Sequence, residues 1–198
     1  MNRSSMKDHN PMFSSKLITV RTIVEDDLPA IYTMYSNKNL IHLWSPETTF
    51  HSFAYFREKL LRRLKHRWHH GVVFTNSSNG NSFGFAYCYN ANQSNRNAAL
   101  CLFVDEPFVG KSVTLQASYL YLKNLFEEQG YLKLYAEVFE YNTRCLKLLR
   151  HLGFKQEGCL SKHQRWNEKY WDLHIFMITK EQFEELGEKY MPLIQRVI

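Results

Sequence analysis

The chain has 198 residues, 44% of them hydrophobic, which suits one globular domain with a sizeable core and leaves little room for a second. Lysine and arginine number 25 against 19 aspartate and glutamate, a formal charge of +6 that favours anionic ligands such as phosphorylated cofactors. Residues 1–15 lack the apolar stretch of a secretory signal, and no run approaches the roughly 20 apolar residues of a membrane span, so a cytoplasmic protein without a membrane partner is expected.

Residues 1–15 read as a flexible leader. Residues 17–22 alternate apolar and polar side chains as a half-buried strand does. Glu25, Asp26 and Asp27 then place negative charge at a helix start, and Leu28, Ile31, Tyr32 and Tyr35 recur at helical spacing. Phe53, Phe56, Leu60, Leu64 and Trp68 mark a second helix whose other face, from Arg57 to Arg67, is basic. That face reads either as a solvated surface or as a guide for an acidic acceptor; nucleic acid is an unlikely partner. His66, His69 and His70 crowd together there, yet Arg67 stands where a helical zinc signature needs Glu, so no metal site is expected.

Residues 71–75, 83–89 and 98–104 are short β-rich runs separated by polar clusters, an antiparallel meander with an exposed loop over 90–97. The third run, AALCLFV, is apolar throughout and reads as a central strand covered on both faces. Val113, Ala117, Leu120, Tyr121 and Leu125 predict a helix closed by Gly130, and residues 132–138 alternate as a strand, completing a β-α-β unit. Cys145, Leu146, Leu149 and Leu152 form a further helix closed by Gly153. Strands over 155–163 and 170–178 and a C-terminal helix over 181–198 end the chain. The fold class is α/β of the mixed α+β kind: a six- to seven-stranded mixed sheet in the order β-α-α-β-β-β-α-β-α-β-β-α, with residues 16–180 as the domain. The four cysteines, Cys88, Cys101, Cys145 and Cys159, form no CxxC pair and are expected to be reduced.

Ligands of open α/β sheets gather at the carboxyl ends of parallel strands, which directs attention to the segments after Val104 and after Val138. The first runs from Asp105 and Glu106 through Val109, Gly110, Lys111, Ser112, Val113 and Thr114 into a helix, whose unpaired N–H groups suit a phosphate. Gly110-Lys111-Ser112 ends like a nucleotide-triphosphate loop, but Asp105 replaces that loop's first glycine, which excludes ATP and GTP. A plain strand-to-helix turn is the other reading. In the second segment Asn142 is placed to cap a helix or to bind a ligand amide.

Taken together, VGKSVTLQA before one helix and AEVFEYNTRCLKLLRHLGFKQEG around the next resemble the GNAT superfamily of N-acetyltransferases, in its RimJ/RimL-like branch. The resemblance spans residues 17–178. It implies acetyl-coenzyme A as co-substrate, with Leu102, Phe103 and Val104 along the pantetheine arm. It also implies a pyrophosphate cradle from Val109 to Thr114, with Asn142 and Arg144 on the cofactor. The family turn usually carries Gln or Arg, then Gly, then Gly or Ala where this chain has Val109, Ser112 and Thr114, so a narrowed approach to phosphate is expected.

By the same resemblance Glu137, or else Glu106, is the general base, and a backbone N–H near the end of 98–104 is the oxyanion donor. Cys145 stands at a position where the branch has Ser, as a proton donor to the leaving thiolate, while Leu149 replaces the family's usual Tyr. Glu137 as a sheet-face carboxylate paired with Lys133, and Cys145 as a core residue, are the structural alternatives. Trp44, Trp68, Trp166, Tyr170 and Trp171 fall in the elements that wall the acceptor site. The expected acceptor is a primary amine on a small molecule, an amino sugar or a protein N-terminus, and the expected assembly is a monomer or homodimer. The rival function is a catalytically degenerate binding module of the same fold.

Overall fold

The computed structural model describes residues 11–44, 52–65 and 70–195, without the side chains of 63 and 188–195. His66, His69, Arg67 and Trp68 lie outside the described residues. Strands β1 (Pro11–Ser14), β2 (Ile18–Thr22), β3 (Val72–Asn76), β4 (Ser82–Asn92), β5 (Asn97–Val104), β6 (Lys133–Phe139), β7 (Lys155–Trp166) and β8 (Lys169–Thr179) form one sheet in the order β1-β2-β3-β4-β5-β6-β8-β7. Helices α1 (Leu28–Tyr35), α2 (Phe53–Leu64), α3 (Ser112–Lys123), α4 (Thr143–His151) and α5 (Lys180–Gln195) flank it.

The sheet has eight strands rather than six or seven, because β1 adds an edge strand inside the stretch expected to be leader. β4 runs to Asn92, so the exposed connection contracts to four residues between it and β5. The main core lies between one sheet face and α3, α4 and α5, where Phe183 of α5 packs against Tyr119 and Phe126. A second cluster lies between the opposite face and α1 and α2. α3 is apolar around most of its circumference because it is enclosed: residues 116–122 are all buried. Close packing of β4 on β5 needs Gly84, where a Cβ would come within 2.5 Å of the Phe103 carbonyl oxygen.

The parallel β5–β6 ladder is short. β5 and β6 pair in parallel only at Asn97↔Lys133, Ala98↔Leu134 and Ala99↔Tyr135. Both strands then continue with their outer neighbours alone, β5 on β4 as far as Gly84↔Val104 and β6 on β8 as far as Phe139↔Leu173. Beside the end of that short ladder β4 carries a bulge: two residues, Asn90 and Ala91, stand opposite Ala98, and Asn90 has φ 49°. A bulge bends and over-twists its strand. The sheet therefore opens as a V whose inner edges are the backbones of residues 100–104 and 136–139.

Candidate active site

The V is not filled by side chains. A cavity of about 410 Å³ passes through the sheet at its apex, lined by Leu100, Cys101 and Leu102 from β5 and by Ala136 to Phe139 from β6. On the α3–α4 face it meets Cys145, Leu148 and Leu149. On the opposite face it meets Trp44, Tyr87, Tyr89, Glu137, His163 and Gln164. Leu100, Cys101 and Leu102 are accordingly half-buried, where a strand covered on both faces was expected. An adjoining cavity of about 400 Å³ shares Leu43, Trp44, Leu102, Asn142, Cys145 and Leu148 with the first and leads outward to Val104, Val109, Gly110, Lys111 and Ser112.

The turn before α3 is built for close approach. Gly110 has φ +77°, a left-handed conformation that glycine adopts without steric cost, and a Cβ there would meet nothing within 4 Å. Lys111 is the N-cap of α3 and offers no side-chain cap, so the first N–H groups of the helix are left for another acceptor. Thr114, expected to narrow the turn, lines the outer cavity but is buried, with its Oγ1 donating to the Phe108 carbonyl at 2.5 Å. Its hydroxyl closes the turn from within. Val113 packs on the main core and lines neither cavity, so any ligand contact from it is through the backbone.

Across the outer cavity, α4 presents Arg144, Lys147 and His151 opposite Lys111. Lys147 and His151 escaped the sequence reading, although their offsets of three and seven from Arg144 place them on one helix face. Asn142 lines both cavities and caps α4, its Oδ1 accepting from the Cys145 N–H at 3.2 Å. That bond leaves the side-chain NH₂ as a donor. Desolvation pushes the Cys145 thiol up to about 12, so it stays protonated: it is a potential donor and not an activated nucleophile.

The two carboxylates separate. Glu137 lines the inner cavity and accepts from the Tyr89 hydroxyl at 3.3 Å, whereas Lys133, its expected partner, pairs with Glu157 at 2.7 Å. Glu106 lines neither cavity; Asn39 and Asn37 donate to its Oε2 at 3.0 and 3.5 Å.

An aromatic clasp secures the rim of the inner cavity. His42 stacks on Trp166 with ring centres 4.6 Å apart, and Tyr141 packs against Trp166 and edge-on to Trp171. The Tyr141 hydroxyl donates to the His42 carbonyl at 2.7 Å, and Trp171 Nε1 donates to the Trp166 carbonyl at 3.0 Å. Trp166 and Trp171 thus tie the β7–β8 hairpin to the short helical turn Ile41–Leu43, while Tyr170 stands 62% exposed. Burial lowers the pKa of His42 from its ordinary 6.5. Stability drawn from its neutral ring is fully present above pH 6.5 and is lost as pH falls through the lowered folded value. The melting temperature is expected to fall over that interval, and His42→Gln to flatten part of the fall; identical pH dependence in the two proteins would exclude this role.

The chain is 30% identical over 107 residues to the SPbeta prophage-derived uncharacterized N-acetyltransferase YokL of Bacillus subtilis (strain 168), a match covering 54% of this chain and 60% of that protein. It superposes with a TM-score of 0.78 on a spermidine N-acetyltransferase from Vibrio cholerae in complex with CoA and spermine, at 21% identity over 85% of this chain and 98% of that one. A spermidine/spermine N-acetyltransferase structure from the same organism gives 0.72 at 20% identity, covering 85% and 96% of the two chains. At that identity the structures establish the fold. Among the described residues no helix is long and apolar enough to cross a membrane. The model of the acetyltransferase (GNAT) domain matches residues 18–155, which takes in the splayed strands, the turn before α3 and α4, and the chain belongs to that family.

Proposed function

We propose that this chain transfers the acetyl group of acetyl-coenzyme A to a primary amine, and the observation that carries the reading is the opened β5–β6 edge joining the two cavities. A backbone edge left without a ladder partner can pair with an extended amide-bearing chain as a missing strand would. Leu102, Phe103 and Val104 supply that edge, and pantetheine is a chain of that chemistry. The Phe103 side chain turns away, packing within 4.5 Å of the Trp44 ring and 4.4 Å of the Phe85 ring, so its part is played by backbone. The open space over Gly110 and the uncapped start of α3 suit a pyrophosphate, and Lys111, Arg144, Lys147 and His151 suit its charge. Bound there, acetyl-coenzyme A supplies an activated acyl group.

The protein's own groups then have distinct tasks. Asn142 orients the chain of the co-substrate through its free NH₂. A backbone N–H of β5 stabilises negative charge on the acyl oxygen. Cys145, held protonated, donates toward the leaving sulfur. Glu137, on the far face of the sheet, draws an ammonium group to the cavity mouth. The acceptor is a small-molecule amine, an amino sugar or a peptide N-terminus; the neighbouring Vibrio cholerae enzyme was solved with spermine.

Calorimetric titration with acetyl-coenzyme A tests this reading. Saturable binding is expected, with a thermal shift equivalent to about 2.7 kcal/mol at a ligand concentration about 100 times the dissociation constant. Absence of heat and of any shift at millimolar ligand would return the chain to a binding module of the same fold.

A further inference from the structure

We propose that His163 is the base that takes the proton of the incoming ammonium group, and that Asp172 is the residue that positions it; the inference rests on the acetyl-transfer reading above. The β7–β8 ladder contains a misfit. Leu160 pairs with Leu173, and the next pair is Gln164 with Trp171. Three residues of β7, Ser161, Lys162 and His163, therefore stand opposite Asp172 alone. In a regular strand successive side chains point to opposite faces, yet His163 and its neighbour Gln164 line the same cavity. The extra residues break that alternation, and re-aiming a side chain is what bulges beside binding sites do.

The bulge is held in place. Lys162 sits at φ 50°, a conformation unfavourable to a lysine, and its N–H donates to Asp172 Oδ1 at 2.7 Å. The Cys159 thiol donates to Asp172 Oδ2 at 3.6 Å, and the Glu140 N–H donates to the Asp172 carbonyl at 2.9 Å. Asp172 is thus fixed at once from β7 and from Glu140, the residue that follows β6. It reaches His163 only through the backbone of Lys162, which makes it a positioning residue.

His163 shares the inner cavity with Glu137, and the two groups divide the work. A carboxylate is a strong attractor and a weak base at neutral pH, while an imidazole is matched to proton transfer there. Glu137 holds the ammonium, and an unprotonated nitrogen of His163 accepts one of its protons. The freed amine nitrogen bonds to the thioester carbonyl carbon and the C–S bond breaks. The second proton, shed by that nitrogen as the amide forms, ends on the sulfur, and the proton on His163 passes to solvent. The other titratable groups lining the inner cavity are Tyr87 and Tyr89 from β4, Cys101 from β5, Tyr121 from α3 and Cys145 from α4; Asp172, Cys159 and Glu140 gather at the bulge, and Lys162 and Arg165 flank His163 on its own strand.

The test is steady-state transfer by the full chain from acetyl-coenzyme A to spermidine, tyramine, glucosamine and a tetrapeptide with a free N-terminus, followed by thiol release between pH 5.5 and 9. With whichever amine reacts, His163→Gln is expected to lower kcat about 100-fold and to abolish the acidic limb of the profile. Acetyl-coenzyme A affinity should not change. Asp172→Leu is expected to lower kcat about 10-fold while keeping the limb, and Asp172→Asn, which retains an acceptor for the Lys162 N–H, to restore it. Unchanged kcat and an intact acidic limb in His163→Gln would overturn the proposal while leaving acetyl transfer in place. Wild-type silence toward all four amines would remove the transfer reading itself, and this inference with it.

Discussion

Arg21→Met is expected to lower the unfolding free energy by about 3–5 kcal/mol, the loss typical of breaking one side of a buried ion pair. Arg21 Nη1 and Nη2 donate to Asp27 Oδ2 and Oδ1, both at 2.7 Å, in the paired geometry that only a guanidinium offers a carboxylate. The two side chains are 12% and 8% exposed, so water cannot replace the lost partner. Asp27 Oδ2 also accepts the Val24 N–H at 2.9 Å, which anchors the turn into α1. α1 also adjoins the candidate site, because the Tyr35 and Phe103 ring centres lie 5.9 Å apart and Phe103 is on β5, whose edge is proposed to hold the cofactor.

Urea unfolding of the parent, Arg21→Met and Arg21→Met/Asp27→Asn would measure this. The double variant carries no stranded charge and keeps an acceptor for Val24, so most of the loss should return. A deficit below about 1 kcal/mol would mean the pair behaves as a solvated surface contact.

What could be read in advance, and what could not, follows from the range of the interactions involved. The helices and most strands carry local periodicity, and the turn from Val109 to Thr114 announces itself through Gly110 and small residues ahead of a helix. β1 does not, being four residues long and defined by its pairing with β2 across a register shift. The run from Ala98 to Val104 is apolar throughout, yet nothing within it says that β6 leaves it after Ala99; a cause of that opening lies in another strand, at Asn90 and Ala91.

Glu106 and Glu137 look equivalent as residues following or ending parallel strands. They are told apart by Asn37 and Asn39, almost seventy positions upstream, which bind the Glu106 carboxylate and hold it away from the cavities. The placement of His163 is not legible in its own strand. Alternation along β7 cannot place it in the cavity beside Gln164, because its direction is set by an irregularity that only the partner strand reveals.

Reversing two charges on the outer cavity, Arg144→Glu with Lys147→Glu, is expected to raise the dissociation constant for acetyl-coenzyme A by about 100-fold at low salt. That corresponds to about 2.8 kcal/mol at 1.4 kcal/mol per decade. Both side chains are exposed on α4 and line the cavity that opens from the start of α3, so the fold does not depend on them. Each can form a charge-assisted hydrogen bond to phosphate, and solvent screening at the rim keeps the pair at the lower end of what two such bonds can supply. Lys111 and His151 remain on the cavity wall, and the uncapped N–H groups of α3 remain too, so binding should weaken and not vanish. The parent should lose affinity as salt is raised, and the variant, with its attraction removed, should lose much less. Lys16→Glu with Lys65→Glu makes the same change in net charge on exposed positions that line neither cavity. If that control weakens binding as much as the cavity pair does, the effect belongs to the overall charge of +6 and not to a phosphate site beneath α4.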